Sequence, residues 1–211
     1  MKYSADCRGR QIILASKSPR RAELLKKAGL EFTVAPSAYK EEMHLDLRPE
    51  QLAEYLALKK AEDVAASHPE ALVIGADTIV VVDGIALGQP ADAANAREML
   101  EKLSGRGHRV ITGFALMCLA SGAKKVKSVS TKVYFRPLSD EEIDSYIKSG
   151  EPMDKAGAYA IQGGAASFVE KTEGDYYNVV GLPVGELLES LKKFGQCNPN
   201  AKEDSKRNEP V

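Results

Sequence analysis

Residues 72–82 read Leu-Val-Ile-Gly-Ala-Asp-Thr-Ile-Val-Val-Val, a near-continuous apolar run rich in β-branched side chains. Such a run predicts a strand buried on both faces. Residues 11–15 predict a shorter buried strand, and a helix follows to about Ala28, where Gly29 ends it. A second strand is expected over 31–35. Pro49 opens a helix to about Ala66, with Leu52, Leu56, Lys60 and Val64 in one stripe spaced by four. Asp83-Gly84 has the chemistry of a tight hairpin turn into residues 85–87. A helix over 92–103 turns Met99, Leu100 and Leu103 inward. Residues 108–119 predict a strand, and 128–136 alternate so that Val129, Thr131, Val133 and Phe135 share a face. Ser139 with Glu142 forms a capping box that opens a helix to Lys148, stopped by Gly150. Residues 165–171 and 176–180 suggest strands around the turn at 173–175. Pro183 starts a last helix, with Leu187, Leu188 and Leu191 apolar and Gly195 as its stop. The result is a mixed α/β chain whose strand order the pattern leaves open.

Composition narrows the class. The chain has 211 residues and a formal net charge of −1, so it holds ample core and carries no global basic field for nucleic acid. One domain is expected over 11–195, with an N-terminal extension at 1–10 and a disordered polar tail at 196–211. Cys7, Cys118 and Cys197 form no CxxC pair, which fits a reducing, cytoplasmic setting without zinc or disulfides. His44, His68 and His108 lie outside any metal-ligand spacing. The apolar runs are strand-length, so neither a membrane span nor a signal peptide is expected, and no repeat is found.

The polar exceptions to the apolar pattern carry the candidate chemistry. Asp77 and Thr78 interrupt the strand at its centre, and a buried carboxylate costs several kcal/mol unless a cation, metal or donors meet it. Asp77 reads as a chemical group or as a structural acid paired to an arginine. Gly75 lets a backbone or a ligand approach closely. At 16–21, Ser-Lys-Ser-Pro-Arg-Arg, Ser18 caps a helix that Pro19 begins. Arg20 and Arg21 in the first turn oppose the helix dipole unless an anion neutralises them, which points to phosphate; pairing with Glu23 is the bland alternative. Lys60 interrupts an apolar stripe and by itself reads as snorkelling along the core edge. Glu41 and Glu42 are a solvated pair or, beside Asp77, part of a divalent-cation site. In 154–164, three glycines permit close approach of a ligand, Asp154 and Lys155 suit phosphate or metal, and Gln162 offers the donor and acceptor needed to read a base edge. Tyr176 and Tyr177 read as core or as a dimer surface.

Taken in order, Ser16-Lys17-Ser18-Pro19-Arg20-Arg21, Gly75-Ala76-Asp77-Thr78, Thr112-Gly113, Asp154-Lys155-Ala156-Gly157-Ala158-Tyr159 through Ile161-Gln162-Gly163, and Asn178-Val179-Val180-Gly181-Leu182-Pro183 resemble the Maf-like proteins. The resemblance covers about 11–194. It implies an elongated, two-lobed α/β fold of the inosine-triphosphatase (Maf/Ham1) type, with a long, mixed, curved sheet flanked by helices and a central cleft. It implies hydrolysis of a nucleoside triphosphate to monophosphate and pyrophosphate with Mg²⁺ or Mn²⁺, in a chain that resembles the dTTP/UTP subgroup at Arg20, Thr78 and Gln162. Asp77 matches the general base. Glu41 with Asp77 matches metal binding, while Ser16, Ser18, Arg21, Lys60 and Lys155 join Arg20 around the phosphates. Where many members read Lys before Pro, this chain has Gln89. A homodimer is implied by resemblance only. A non-catalytic nucleotide-binding regulator of cell division and a pyrophosphatase for modified or purine nucleotides are the alternatives.

Overall fold

The computed structural model describes residues 9–196, so the expected tail over 196–211, apart from Gln196, and most of the expected N-terminal extension lie outside the described residues. Strands β1 (Ile12–Ala15), β2 (Thr33–Val34), β3 (Leu72–Val82), β4 (Ile85–Leu87), β5 (Gly107–Cys118), β6 (Ala123–Phe135) and β7 (Val169–Glu173) form one sheet in the order β2-β1-β3-β5-β6-β7, with β4 also paired to β3. The β1–β2 and β1–β3 pairs are parallel, and the rest are antiparallel. Helices α1 (Pro19–Lys27), α2 (Pro49–Ser67), α3 (Ala93–Leu103), α4 (Asp140–Lys148), α5 (Tyr176–Val180) and α6 (Val184–Gln196) complete the mixed α/β architecture expected.

Strand β3 organises the molecule. Its side chains alternate between two cores: Ala76, Val80 and Val82 join the large cluster under α1, α3, α4 and α6, while Ile79 and Val81 join Leu52, Ala53 and Leu56 of α2. Helix α2 rests on the sheet at two glycines. A Cβ at Gly75 would lie 2.2 Å from the Ala57 carbonyl oxygen, and one at Gly113 would lie 2.2 Å from that of Ala53. Gly75 is therefore needed for a helix backbone, one of the two partners the sequence allowed.

The other edge of β3 is interrupted. Parallel β1 covers Leu72 to Gly75, and antiparallel β4 covers Val80 to Val82. Between them Ala76, Asp77, Thr78 and Ile79 have β5 on one side and, among the described residues, no strand on the other. The chain leaves β1 at Ala15 for the 16–18 loop, and the Asp83-Gly84 turn, at φ 52° and 79°, folds β4 back only as far as Val80. A gap is thus left in mid-sheet.

Four expected elements differ. Residues 176–180 form helix α5, not a strand, because the Asp175 carboxylate accepts hydrogen bonds from the Tyr177 and Asn178 N–H groups and caps a turn that β-propensity opposed. Tyr176 and Tyr177 on it are exposed, not core. Residues 164–168 form a 3₁₀ turn before β7, driven by the small residues Gly164, Ala165 and Ala166. Strand β6 begins at Ala123, five residues before the expected 128, since pairing with β5 runs to the turn at Cys118 and Ala123. Helix α6 also continues through Gly195 to Gln196.

Candidate active site

The gap in the sheet opens into a cleft of about 460 Å³. Its walls come from the 15–21 loop and helix start, the β2–α2 loop, the middle of β3, the residues after β4, and the 154–162 segment. Because the strand edge is open there, Asp77 and Thr78 both reach the cleft although they point to opposite faces of the sheet. This is why a strand otherwise built for burial carries two polar residues at its centre.

Asp77 is 5% exposed. Its carboxylate is ion-paired to the Lys60 ammonium, which also donates to Glu41 at 2.6 Å. Lys60 follows the two glycine contacts along α2, so the close docking of that helix points it into the cleft instead of letting it snorkel outward. Burial raises the Asp77 pKa, and the Lys60 charge opposes that shift. Glu41 sits on the loop between β2 and α2. The Asp63 carboxylate, one helical turn beyond Lys60, anchors that loop by accepting from the Ser37 hydroxyl at 2.7 Å and the Ala38 N–H at 2.8 Å. These two donors hold the Asp63 pKa below its ordinary value.

The two arginines of the first turn part company. Arg20 lines the cleft and makes no hydrogen bond or ion pair among the described residues. Arg21 is turned inward as a strut. Its Nε donates to the Gly181 carbonyl at 2.8 Å, one terminal nitrogen to Ser16 Oγ at 3.1 Å and the Ala76 carbonyl at 2.9 Å, and the other to Thr78 Oγ1 at 3.0 Å. Burial lowers its pKa, with the nearby Asp77 charge working against that. Four of its five N–H groups are thus given to protein acceptors, which fixes the side chain in place, while one Nη2 N–H has no hydrogen-bond partner among the described residues. Ser18 caps α1 through the Arg21 N–H at 3.4 Å, and Ser16 Oγ accepts from the Ser18 N–H at 3.2 Å.

On the opposite wall Lys155 pairs with Asp154, and Gln89 Nε2 donates to the Asp154 carbonyl at 3.3 Å. Gln89 therefore stands in the cleft, where a lysine would add charge. Gln162 is exposed to the cleft on a loop pinned from both sides. The Tyr146 hydroxyl accepts from the Ala160 N–H at 3.1 Å and donates to Glu151 at 3.0 Å, while Glu151 accepts from the Gly164 N–H at 3.1 Å. Sequence reasoning missed Asp63, Tyr146 and Glu151 because their signal is a contact across many residues, not a pattern. It also quoted Thr112 and Asn178 without giving either a task.

His108 lies behind this wall, 4% exposed, with Nε2 2.8 Å from the Tyr159 hydroxyl. Burial pulls its pKa down to about 4 from 6.5. Between those values the unfolded chain binds a proton that the folded chain refuses, so stability falls as pH drops through the window. The total is about 3 kcal/mol, and His108→Gln removes that part of the pH dependence. Urea unfolding at pH 7 and pH 4 for both proteins measures it; identical pH dependence would show that His108 is not buried neutral.

No cluster of three or more His, Cys, Asp or Glu suited to a metal ion occurs among the described residues. Glu41 and Asp77 nevertheless converge on one cation, the Lys60 ammonium, so the pair already forms a cation-binding point. Two carboxylates suffice for Mg²⁺ when phosphates and water complete its shell.

Fold and cleft together define an α/β protein with a buried acid, Asp77, and the cationic side chains Arg20, Lys60 and Lys155 around one cleft. The family profile described as Maf-like protein matches residues 11–194. The chain belongs to the Maf-like family. A dTTP/UTP pyrophosphatase of Symbiobacterium thermophilum is 53% identical over 186 residues, 88% of this chain and 94% of its own. That of Carboxydothermus hydrogenoformans is 54% identical over 185 residues, 88% and 99%, and that of Bacillus pumilus 47% over 185 residues, 88% and 97%. A HAM1 protein from Coxiella burnetii superposes with a TM-score of 0.52 at 17% identity, covering 87% of this chain and 99% of its own, which shows the shared fold.

Proposed function

We propose that this chain hydrolyses dTTP and UTP to the monophosphate and pyrophosphate. The observation that carries the reading is a buried carboxylate, Asp77, at the open edge of β3, facing a cleft whose other walls hold Arg20, Lys60 and Lys155. The names and high identity of the relatives support the base preference. Water attacks the α-phosphorus, the bond from that phosphorus to the α–β bridging oxygen breaks, and pyrophosphate leaves. Asp77 takes the proton of the attacking water. A carboxylate whose pKa is raised by burial is a better base than an exposed one, and Lys60 keeps it ionised. Arg20 and Lys155 face the triphosphate; Gln162, held by the Tyr146–Glu151 clamp, reads the base.

Glu41 and Asp77, which converge on the Lys60 ammonium, would hold a divalent cation. When bound, that ion withdraws charge from the triphosphate. Pyrophosphate release across UTP, dTTP, CTP and purine triphosphates, with Mg²⁺ and with chelator, tests the reading. Release from UTP and dTTP only with the metal is expected. Binding without release from any of them would leave a nucleotide-binding regulator, and preference for purines would overturn the base assignment.

A further inference from the structure

Two acids of the cleft share one cation. Glu41, on the loop between β2 and α2, and Asp77, in the middle of β3, both pair with the Lys60 ammonium, Glu41 at 2.6 Å. Among the described residues no other cation lies within ion-pair distance of either acid. The Lys60 side chain is only 13% exposed, so its ammonium has little water to fall back on when its partners are taken.

Charge decides what can join this group. The acids carry two negative charges. Lys60 and the nearby Arg21, whose field acts on Asp77, carry two positive ones, so the group is neutral as it stands. A bare divalent ion drawn to the acids meets an ammonium already between them. If the ammonium stays, two cations crowd one pair of carboxylates, and like charges repel at short range. If it is pushed out, a largely buried charge loses both of its partners. Either way the bare ion is penalised. A triphosphate lifts the penalty, because its oxygens offer the ammonium new acceptors in the same cleft, which Lys60 lines together with Arg20 and Lys155.

Resting on the reading above, in which Glu41 and Asp77 hold the metal, we infer that Lys60 couples the two ligands. Its ammonium keeps the pair of acids closed to a bare divalent ion and yields them when polyphosphate arrives, so ion and nucleotide bind cooperatively. Such coupling is reciprocal. Lys60 therefore acts with opposite sign on the two ligands, as a competitor of the metal and a partner of the phosphates.

Lys60→Met removes the charge and keeps much of the stem. The Kd for Mn²⁺ alone, followed by electron paramagnetic resonance without nucleotide, should fall by about tenfold, within the span usual for coupled sites. The uncleavable α,β-imido analogue of UTP, titrated by calorimetry in chelator, should bind about tenfold more weakly, the loss of one charge-assisted hydrogen bond. General damage to the cleft would weaken both ligands, so opposite signs from one substitution mark the coupling, and a loss of both overturns it. Lys155→Met takes a cation from the opposite wall and should leave Mn²⁺ binding near native. An equal gain there would mean a general field and overturn the inference. So would a native chain that binds Mn²⁺ alone as tightly as K60M. Should K60M fail to fold, Lys60→Gln carries the same measurements, since its amide still donates to a carboxylate but brings no charge. Adding Glu41→Gln to Lys60→Met should abolish the gain. A gain that survives puts the ion elsewhere and sinks the metal assignment of the proposed function together with the coupling. No gain in K60M, in a native chain that releases pyrophosphate from UTP with Mg²⁺, sinks only the coupling.

Discussion

Asp77→Asn lowers turnover by roughly 10²–10⁴-fold, the usual worth of a positioned general base. Asparagine keeps the size of the side chain and still accepts a hydrogen bond, but it takes no proton at working pH. Removing a buried charge by itself would leave folding intact or improve it. The structure tempers that expectation. Asp77 neutralises Lys60, and the substitution leaves Glu41 as the only charged partner of that ammonium among the described residues. Thermal stability should therefore stay close to that of the native chain, with gain and loss offsetting. Steady-state pyrophosphate release alongside a thermal melt tests both halves. A folded Asp77→Asn protein with native turnover would remove Asp77 from the chemistry.

Arg21→Ala should be the most destabilising change in the site. It strands the buried Gly181 and Ala76 carbonyls and takes a donor from the Ser16 and Thr78 hydroxyls, all four now served by one guanidinium. Losing the hub of a buried charged network costs about 3–5 kcal/mol. For a chain of this size that lowers Tm by roughly 6–20 °C. Arg21→Lys should recover little, since an ammonium cannot span the four acceptors of the fork. Arg20→Ala is the contrast: it should leave ligand-free Tm near native and raise KM, because its head group makes no hydrogen bond or ion pair among the described residues. Differential scanning calorimetry of the three variants separates the roles. Were Arg21→Ala as stable as the native chain and altered only in KM, Arg21 would be a ligand contact after all.

The elements were largely legible from periodicity, because buried strands and amphipathic helices are local patterns. Strand β3, the Asp83-Gly84 hairpin and the Ser139 capping box could each be read within a dozen residues. Helix α5 was not, since Tyr-Tyr-Asn-Val-Val has strand composition and turns helical only because Asp175 caps it. For the site, the sequence marked Asp77, Thr78 and the cationic positions as anomalies, and resemblance supplied their roles. It could not tell Arg20 from Arg21. Adjacent residues of one type differ there only in what the fold brings to them, and three of the four acceptors of Arg21 lie 55, 57 and 160 residues away. The same holds for Lys60, whose direction depends on how closely α2 can settle.

That settling rests on Gly75 and Gly113, which carry no chemistry of their own. A single added methyl at either would meet a helix carbonyl at 2.2 Å and lift α2 from the sheet. Lys60 would move away from Asp77, and the loop held by Asp63 would move with it. For the history of such a chain, the acid and the lysine are inherited together with two absences. A lineage could keep every reactive group intact and still lose the enzyme through one alanine.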